Sequence, residues 1–364
     1  MIELQRIFDE INSISIYVFL FCVTLSLFRK NISDLFNLYD RPDTIRKLHK
    51  NTTSTFNGFL IISLVLAYSL LDFFFFKEFN LNFNITLSII TLSFYLIGLY
   101  DDKKNLSPTY KTFLIFLLLL MIMPLNQNFI IKTLDFKNLF NFPIILNQAS
   151  IFVTIFFIYI FYNLLNFADG KNGVALIVAI AFIVILAVEK NKVTNLDFLI
   201  LTTLLICLYL NLKNLSFLGN SGSAALSVFI SLNYIFEYNS QSTLKCDEIF
   251  LIFLIPGMDM TRLVIERTSK GKSISLGDLN HLHHHIGSIC SDKYIFIIYG
   301  ILTLIPYITS FLIDSYLVLI LGNILFYLGV LIFFKKKLFN IRSPGQINTT
   351  ILCVLNNFNF LWLI

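Results

Sequence analysis

Two adjacent aspartates, Asp101 and Asp102, follow a long apolar run in the stretch GLYDDKKNLSPTYK. Carboxylates at a membrane edge are costly to desolvate unless they hold a cation or a proton. Such a pair can bind Mg²⁺, which is often coordinated by protein carboxylates and substrate phosphates together. Alternatively, one acid can serve as general base and accept a proton from a phosphate. The alternative is a loop start solvated by Lys103 and Lys104, because short motifs often arise by chance.

A second polar stretch, NLLNFADGKNG, carries Asn163, Asn166 and Asp169 at three-residue spacing. If the preceding apolar run continues as a helix to that point, these side chains lie on one helical face. Gly170 and Gly173 permit positive φ angles or the close approach of a ligand, which suits a helix break beneath a nucleotide or sugar. A polar helix end with a glycine cap is the structural alternative.

The stretch FLGNSGS places Gly219 and Asn220 at the start of a helix. Small residues there expose backbone N–H groups, which favour an anion such as a diphosphate. Close packing of membrane helices through small residues explains the same pattern, and the sequence does not choose between the two.

Four of the five histidines crowd into the stretch HLHHH, positions 281 to 285, with Asp278 three residues earlier. An Asp and His cluster suggests zinc, but the second half of such a site, Cys or His at fixed spacing, is absent. We therefore expect phosphate binding rather than metal ligation. The histidine N–H donors would stand beside a cationic wall of Arg262, Arg267, Lys270 and Lys272. The positive-inside rule is the alternative explanation of these basic residues.

The first loop adds basic residues close to the expected membrane surface: Arg46, Lys47, His49 and Lys50. Juxtamembrane basic residues attract anionic lipid head groups without a specific site. A phosphorylated lipid substrate would feel the same field.

These clusters belong to a chain of 364 residues that is 57% hydrophobic and 13% charged, a balance that excludes a water-soluble globule. Eleven apolar runs of about 15 to 22 residues recur along it, and a helix of that length crosses a hydrocarbon core of about 30 Å. We predict an all-α polytopic membrane protein with about 11 transmembrane helices. Polar residues interrupt the eighth and ninth runs. The runs are 14–28, 56–76, 82–100, 111–125, 149–165, 173–188, 197–212, 216–236, 246–261, 294–313 and 315–334.

Charge on the loops predicts the orientation of the chain. The loops after odd-numbered runs hold 20 of the 27 lysines and arginines, which places them in the cytoplasm, with the N-terminus outside and the C-terminus inside. Every polar cluster falls on these loops, so we expect one composite site on the cytoplasmic face. The cytoplasmic loops with polar clusters are 29–55, 100–111, 166–172, 213–223 and 262–293.

The apolar runs and their loops form a single membrane-embedded domain from 1 to 340, and the tail 341–364 has no evident role. No cleavable signal peptide is apparent at the first run. The five cysteines are scattered without paired spacing, so we expect them to serve packing.

The order of the clusters resembles the membrane family of polyprenyl-phosphate sugar-1-phosphate transferases, glycosyltransferase family 4. That family includes the undecaprenyl-phosphate N-acetylglucosamine-1-phosphate transferase and the phospho-N-acetylmuramoyl-pentapeptide transferase. The resemblance runs from about Tyr39 to His285 through RKLHK, DDKKNLSPTYK, NFADGKNG, FLGNSGS and DLNHLHH, with Asp259, Arg267 and Gly271 before the last. Five ordered matches are far more specific than any one of them.

The resemblance implies a Mg²⁺-dependent phosphotransferase of the bacterial inner membrane, with Mn²⁺ as an alternative metal. It would transfer N-acetylhexosamine-1-phosphate from a UDP-sugar to polyprenyl (undecaprenyl) phosphate and release UMP. Direct in-line attack by the lipid phosphate is the expected mechanism, and a two-step route through an aspartyl intermediate stays open. The resemblance assigns catalysis to Asp101 and Asp102, and metal binding to Asp101, Asp102, Asp169 and Asn220. The donor would contact Asn163, Asn166, Asp169, Asn220, Arg267, His281, His283 and His284. The lipid phosphate would contact Lys47, His49 and Lys111.

The histidine loop reads LGDLNHLHHHI, whereas the pentapeptide-accepting branch of the family usually reads SPIHHHFE. The resemblance therefore favours a simple donor such as UDP-GlcNAc, in O-antigen (lipopolysaccharide), cell-wall or another surface polysaccharide pathway. The implied partners are the donor, the lipid acceptor and the bilayer, with no nucleic acid. A homodimer is compatible with this interpretation.

Three positions depart from the family pattern. Asn220 stands where most members have the aspartate expected to bind Mg²⁺, Asn172 replaces an aspartate of DGxDG, and Leu279 replaces the arginine usually beside Asp278. An asparagine keeps an oxygen ligand but loses a full negative charge, which weakens metal binding unless other acids compensate. The rival interpretations are a degenerate member that binds without turnover, and a transporter or lipid-binding scaffold, although no convincing internal repeat is found.

Overall fold

A computed structural model describes residues 13–40, 52–137, 142–240, 244–273 and 280–341. Within these ranges the chain forms fourteen α-helices. In chain order they are α1 Ser13–Leu27, α2 Arg29–Phe36, α3 Phe56–Leu71, α4 Leu81–Lys104, α5 Pro108–Ile122, α6 Ser150–Ala168, α7 Val174–Glu189, α8 Asn195–Leu212, α9 Gly219–Asn239, α10 Cys246–Ile252, α11 Leu254–Ser269, α12 Leu282–Gly287, α13 Asp292–Thr309 and α14 Tyr316–Ile341.

Seven helical segments in the described ranges are long and apolar enough to cross a membrane, or eight if α1 and α2, bent by 69°, form one span. The protein is thus an all-α polytopic membrane protein, as predicted. A helix lies at each of the eleven predicted positions. However, α7, α9 and the pair formed by α10 and α11 are not among the segments that are long and apolar enough to cross a membrane. The number of eleven spans and the orientation therefore stay predictions. The seven segments are Phe56–Phe76, Leu81–Lys104, Pro108–Leu125, Asn147–Ala168, Asn195–Leu212, Asp292–Thr309 and Tyr316–Lys335.

The ninth predicted run is broken at Phe253, where α10 ends and α11 begins. Pro256 lies in the first turn of α11 and has no N–H to donate to the carbonyl of Ile252. A single continuous helix through this point would lose that hydrogen bond, and the chain divides there.

Capping residues define both ends of α4 and the turn that follows the paired aspartates. Asn80 accepts a hydrogen bond from a backbone N–H of the first turn of α4, and Asn105 ends the helix in the left-handed region with φ 49°. Ser107 accepts a hydrogen bond from the N–H of Tyr110, and Pro108 fills the first position of α5. The chain therefore reverses within a few residues of Asp102.

Helix α9 lies at the centre of the bundle, packed against α3, α4, α6 and α7, and every residue from Ser221 to Ile235 is buried. A Cβ atom built on Gly98 would lie 2.4 Å from the carbonyl oxygen of Asn220, and one built on Gly58 would lie 2.8 Å from Cα of Gly222. The helix backbones are in direct contact at both points. Small residues of FLGNSGS therefore serve close helix packing.

Two short antiparallel strand pairs accompany the helices. β1 Tyr39–Asp40 pairs with β2 Thr53–Ser54, and β3 Thr133–Leu134 pairs with β4 Ile144–Ile145. Phe217 N donates to the carbonyl oxygen of Ser54 at 2.7 Å, so the end of the first loop lies against the start of FLGNSGS.

The outward helix surfaces are apolar, as a lipid environment requires. Phe74, Phe113 and Leu325 are 64%, 60% and 69% exposed. Cys22 and Cys207 are buried in the core, in agreement with the packing role expected of them.

Candidate active site

Asp101 lies in the last turn of α4, and both of its carboxylate oxygens accept hydrogen bonds from the residues that follow. Leu106 N donates to Oδ1 at 2.8 Å, and Lys111 Nζ donates to Oδ2 at 2.8 Å. The side chains of Asp101 and Lys111 are each 12% exposed, so the two charges form a largely buried ion pair. This pair ties α4 to α5, and its charges compensate each other.

Lys111, predicted to contact the lipid phosphate, is held on two sides. Its ammonium is paired with Asp101 and lies 5.2 Å from the ring centroid of Tyr162 on α6. A lipid phosphate in contact with Lys111 would share that ammonium with Asp101. Tyr162 could not be predicted as a site residue, because its neighbours in the sequence are those of an ordinary apolar run.

Asp102 lies beside Asp101 in α4 but accepts hydrogen bonds from a different helix. Asn220 N donates to Oδ1 at 2.9 Å and Ser221 N donates to Oδ2 at 3.0 Å, so the carboxylate caps the N-terminus of α9. Gly219 has φ 70°, and a Cβ atom there would lie 3.0 Å from Asp102 Oδ2. The two backbone donors that the sequence offered to a diphosphate thus bind a carboxylate of the chain itself.

The adjacent carboxylates of Asp101 and Asp102 diverge because α4 continues through Lys104. Neighbouring residues on a helix do not face each other, and here one carboxylate is directed to α5 and the other to α9. Joint chelation of one ion by the pair, as the sequence suggested, does not fit this geometry. The two acids therefore have separate hydrogen-bond partners.

The end of α6 carries the predicted polar face. The helix runs through Ala168, and Asp169 is its C-terminal cap, so Asn163, Asn166 and Asp169 follow one side of the helix as predicted. Asn163 Nδ2 donates to the carbonyl oxygen of Tyr159 at 2.8 Å. Asn166 and Asp169 are both half-buried.

The second half of NFADGKNG is anchored to the end of α8. Gly173, with φ 80°, donates its N–H to Asn211 Oδ1 at 2.6 Å. Asn172 Nδ2 donates to Asn214 Oδ1 at 2.6 Å. Asn172, one of the departures from the family pattern, therefore makes a side-chain contact that fixes this loop.

The histidine loop packs directly on the NFADGKNG loop. A Cβ atom at Gly170 would lie 2.4 Å from His283 Nε2 and 3.5 Å from His284 Nε2. Only a glycine allows this approach of the imidazole rings to the backbone. Two clusters that are far apart in the sequence thus meet, as the composite site requires.

Burial separates the histidines of the loop. His283 is 0% and His281 8% exposed, while His284 is half-buried. Burial, reinforced by His281 and His284, holds the pKa of His283 well below its ordinary value, so its ring is neutral. His283 was assigned to diphosphate binding, but its ring has no exposed surface for a group of that size, and the assignment stays a prediction.

Asp259 on α11 organises the start of α12. Leu282 N donates to both of its carboxylate oxygens at 3.1 Å. Arg262 Nη2 at 2.8 Å and the hydroxyl of Tyr327 at 3.1 Å donate to Oδ1, and His281 Nδ1 lies 3.7 Å from Oδ2. Asp259 entered the sequence argument only through the family resemblance, and Tyr327 on α14 had no sequence signal.

The predicted cationic wall is present only in part. Arg267, 4% exposed, lies 5.0 Å from the ring centroid of Phe167 and 3.5 Å from His281 Nε2. The guanidinium of Arg267 therefore lies over Phe167, which follows Asn166 in the sequence, in the region where the nucleotide was expected.

Two other members of that wall are paired with acids of their own helix. Arg262 pairs with Asp259 at 2.8 Å and Glu266 at 3.2 Å, and Lys270 also pairs with Glu266. The spacing of Glu266, four residues from each of these basic residues, predicts such pairs on a helix. That signal was missed. Lys270 and Lys272, which follow the end of α11, are both exposed.

Several assigned residues lie outside the described ranges. They are Lys47 and His49, expected at the lipid phosphate, together with Arg46, Lys50, Asp278, Leu279 and the tail from 342 onward.

The sequence profile of glycosyl transferase family 4 matches residues 84–236. This range holds DDKKNLSPTYK, NFADGKNG and FLGNSGS, and it ends before the histidine loop. The match supports the resemblance that the motifs predicted: residues 84–236 are similar to that family of transferases. Among curated proteins, no match to the chain is found.

Proposed function

We propose that the protein transfers a sugar-1-phosphate, with N-acetylhexosamine-1-phosphate as the expected group, from a UDP-sugar to polyprenyl phosphate at the cytoplasmic face of a bacterial inner membrane. One observation carries the proposal: Asp102 is bonded to the N-terminus of α9 beside Asn220, inside the segment that matches the transferase family. The contact of the histidine loop with Gly170 of NFADGKNG, another motif of the matching segment, adds support.

In the proposed reaction, an oxygen of the lipid phosphate attacks the sugar-bearing phosphorus of the donor. The bond from that phosphorus to the bridging oxygen breaks, and UMP leaves with the electron pair. Because both reactants are anions, charge repulsion is the main obstacle. No strong base is needed, since the second pKa of a phosphate monoester is about 6 and the lipid phosphate is largely dianionic at neutral pH.

The donor set fits Mg²⁺, and Mn²⁺ as its alternative. Asp102, Asp169 and Asn220 offer carboxylate and amide oxygens, which are hard ligands. Each oxygen of Asp102 accepts an N–H bond from α9, and a carboxylate oxygen has a second lone pair for a cation. Bound there, the metal would supply positive charge to the transferring oxygens. Asp101 is paired with Lys111, and in this proposal it acts on the lipid phosphate only through that lysine.

A second interpretation, a family member that binds without turnover, is favoured by one specific feature. Asn220 lacks the negative charge of the expected aspartate, and the charge of Asp101 is compensated by Lys111. Weaker metal binding would follow if Asp102 and Asp169 do not make up the loss.

The test is UMP release by the purified protein in detergent with undecaprenyl phosphate, Mg²⁺ and a panel of UDP-sugars. We expect UMP with a UDP-N-acetylhexosamine and a loss of at least about 100-fold in Asp102→Asn, because the metal ligand and the α9 cap change together. Absence of UMP with every donor, while nucleotide binding persists, would establish the non-catalytic interpretation instead.

The matched control is Asp135→Asn. Asp135 also pairs with a lysine, Lys245, but its backbone N–H donates to the hydroxyl of Tyr238, near the C-terminal end of α9. Since α9 has 21 residues, that end lies about 30 Å from Asn220. This variant should release UMP at the wild-type rate.

A further inference from the structure

His283 lies at the centre of the histidine loop. Its ring is 0% exposed, and neither Nδ1 nor Nε2 has a hydrogen-bond partner among the described residues. A neutral imidazole has one donor and one acceptor, and each buried group left unsatisfied costs about 1–3 kcal/mol. Such groups are rare in folded proteins, and an ion or a water that completes them is a common explanation.

Two further ligand atoms lie beside this ring. His281 Nδ1 is also without a hydrogen-bond partner in the described part of the chain, and it lies 3.7 Å from Asp259 Oδ2. One ligand atom from each of Asp259, His281 and His283 lies within 4.8 Å of the other two. All three side chains are buried.

The surroundings favour a small cation over an anion. His283 Nε2 is packed on Gly170, at 2.4 Å from where a Cβ atom would be, so a phosphate group has no room at that edge of the ring. Two neutral imidazoles and a carboxylate are the ligands of zinc-type sites. Asp259 has its other contacts on Arg262, Tyr327 and Leu282, which orient it from behind as outer partners orient metal ligands.

We propose that Asp259, His281 and His283 bind a divalent transition metal ion of the zinc type. Tetrahedral bonds of about 2.0–2.1 Å place ligand atoms about 3.4 Å apart, so the side chains must close in by roughly 1 Å from their present separation. Three protein ligands leave the fourth position for water. This site is separate from the Mg²⁺ donors of the proposed function and does not depend on that function.

Metal binding has a structural consequence on either side of the site. It joins α11 to α12 and so fixes the position of His284 on Gly170. If His281 binds through Nδ1, its proton resides on Nε2, and Arg267 Nη2, 3.5 Å away, must turn from the ring. The stack of Arg267 on Phe167 can hold the guanidinium in that event.

The experiment uses full-length protein purified in detergent by a tag without histidines, stripped with a chelator and titrated with Co²⁺ and Zn²⁺. We expect one ion per chain by elemental analysis and a visible Co²⁺ absorption typical of tetrahedral nitrogen and oxygen ligands. His283→Gln and Asp259→Asn should weaken binding by at least about 100-fold, since each removes a ligand. His285→Gln is the matched control: its ring lies on the same short helix and is 9% exposed, but it is outside the trio.

Several results would overturn the proposal. They are wild-type protein without a tightly held ion, a Co²⁺ spectrum of hexahydrate type, or equal binding in His283→Gln and His285→Gln. A water molecule would then complete the imidazoles. If the ligand variants fail to fold, the wild-type Co²⁺ spectrum and a rise of wild-type Tm with Zn²⁺ decide the matter. None of these readouts uses a UDP-sugar, so failure here and failure of the transferase assay are distinguishable.

Discussion

Replacement of Asp102 by asparagine tests whether this residue stabilises the fold in addition to its part in the proposed reaction. The wild-type carboxylate accepts two hydrogen bonds, from Asn220 N at 2.9 Å and Ser221 N at 3.0 Å. A hydrogen bond to a charged group contributes about 1.5–3 kcal/mol, and a neutral one about 0.5–1.5 kcal/mol. The amide introduced at this position would keep one neutral bond and turn its NH₂ group toward the other N–H.

We therefore expect the Asp102→Asn variant to lose about 2–3 kcal/mol of unfolding free energy, including the lost interaction with the α9 dipole. Reversible unfolding in mixed micelles, followed by circular dichroism of the helices, measures this difference. Asp34→Asn is the control: Asp34 is exposed on α2, where it accepts a hydrogen bond from the hydroxyl of Tyr39 at the surface. This variant should stay within about 0.5 kcal/mol of wild type. If Asp102→Asn abolishes UMP release but unfolds like wild type, the capping argument is refuted and the role of Asp102 is chemical alone.

Three further predictions use the same two assays. Gly98→Ala should cost about 1–3 kcal/mol, because its Cβ atom would lie 2.4 Å from the carbonyl oxygen of Asn220. Gly322→Ala should not destabilise, since among the described residues outside its own helix turn no atom would lie within 4 Å of the added Cβ, and an equal cost in both would contradict direct backbone contact. Asp101→Asn should cost about 3 kcal/mol by leaving the buried Lys111 ammonium without its counter-charge, and the added change Lys111→Met should recover part of that loss. Strict additivity of those two changes would argue against the ion pair. Asn220→Asp should lower the Mg²⁺ concentration for half-maximal UMP release by about tenfold, and an unchanged value would remove residue 220 from the metal ligands.

The helices could be predicted because lipid-spanning segments need long apolar runs, and such runs are visible in one dimension. For helix α6 the predicted and observed bounds agree closely: the run predicted at 149–165 corresponds to the helix Ser150–Ala168. Local breaks were harder. The 69° bend between α1 and α2 lies at the end of an apolar run, and hydropathy alone does not register it.

The sequence predicted that the polar loops lie close together, but it did not predict which residues of these loops are in contact. Asp102 and Asn220 are 118 residues apart, and their bond depends on the packing of α4 on α9. The same holds for Asp259, which receives His281, Leu282 and Tyr327 from other parts of the chain. In contrast, the pairs of Glu266 with its neighbours follow from helical spacing and were within reach of the sequence.

Adjacency in the sequence was misleading for the acid pair, and the reason is the extent of α4. Had the helix ended before Asp101, an extended turn could have directed both carboxylates to one ion. Because it continues through Lys104, Asp101 is committed to Lys111 and Asp102 to the N-terminus of α9. Of the two acids, Asp102 is therefore the one that is hydrogen-bonded to residue 220. A missing charge at Asn220 acts on the same helix end that Asp102 caps, so substitutions at these two positions should be non-additive, whereas substitutions at Asp101 should couple to Lys111 instead.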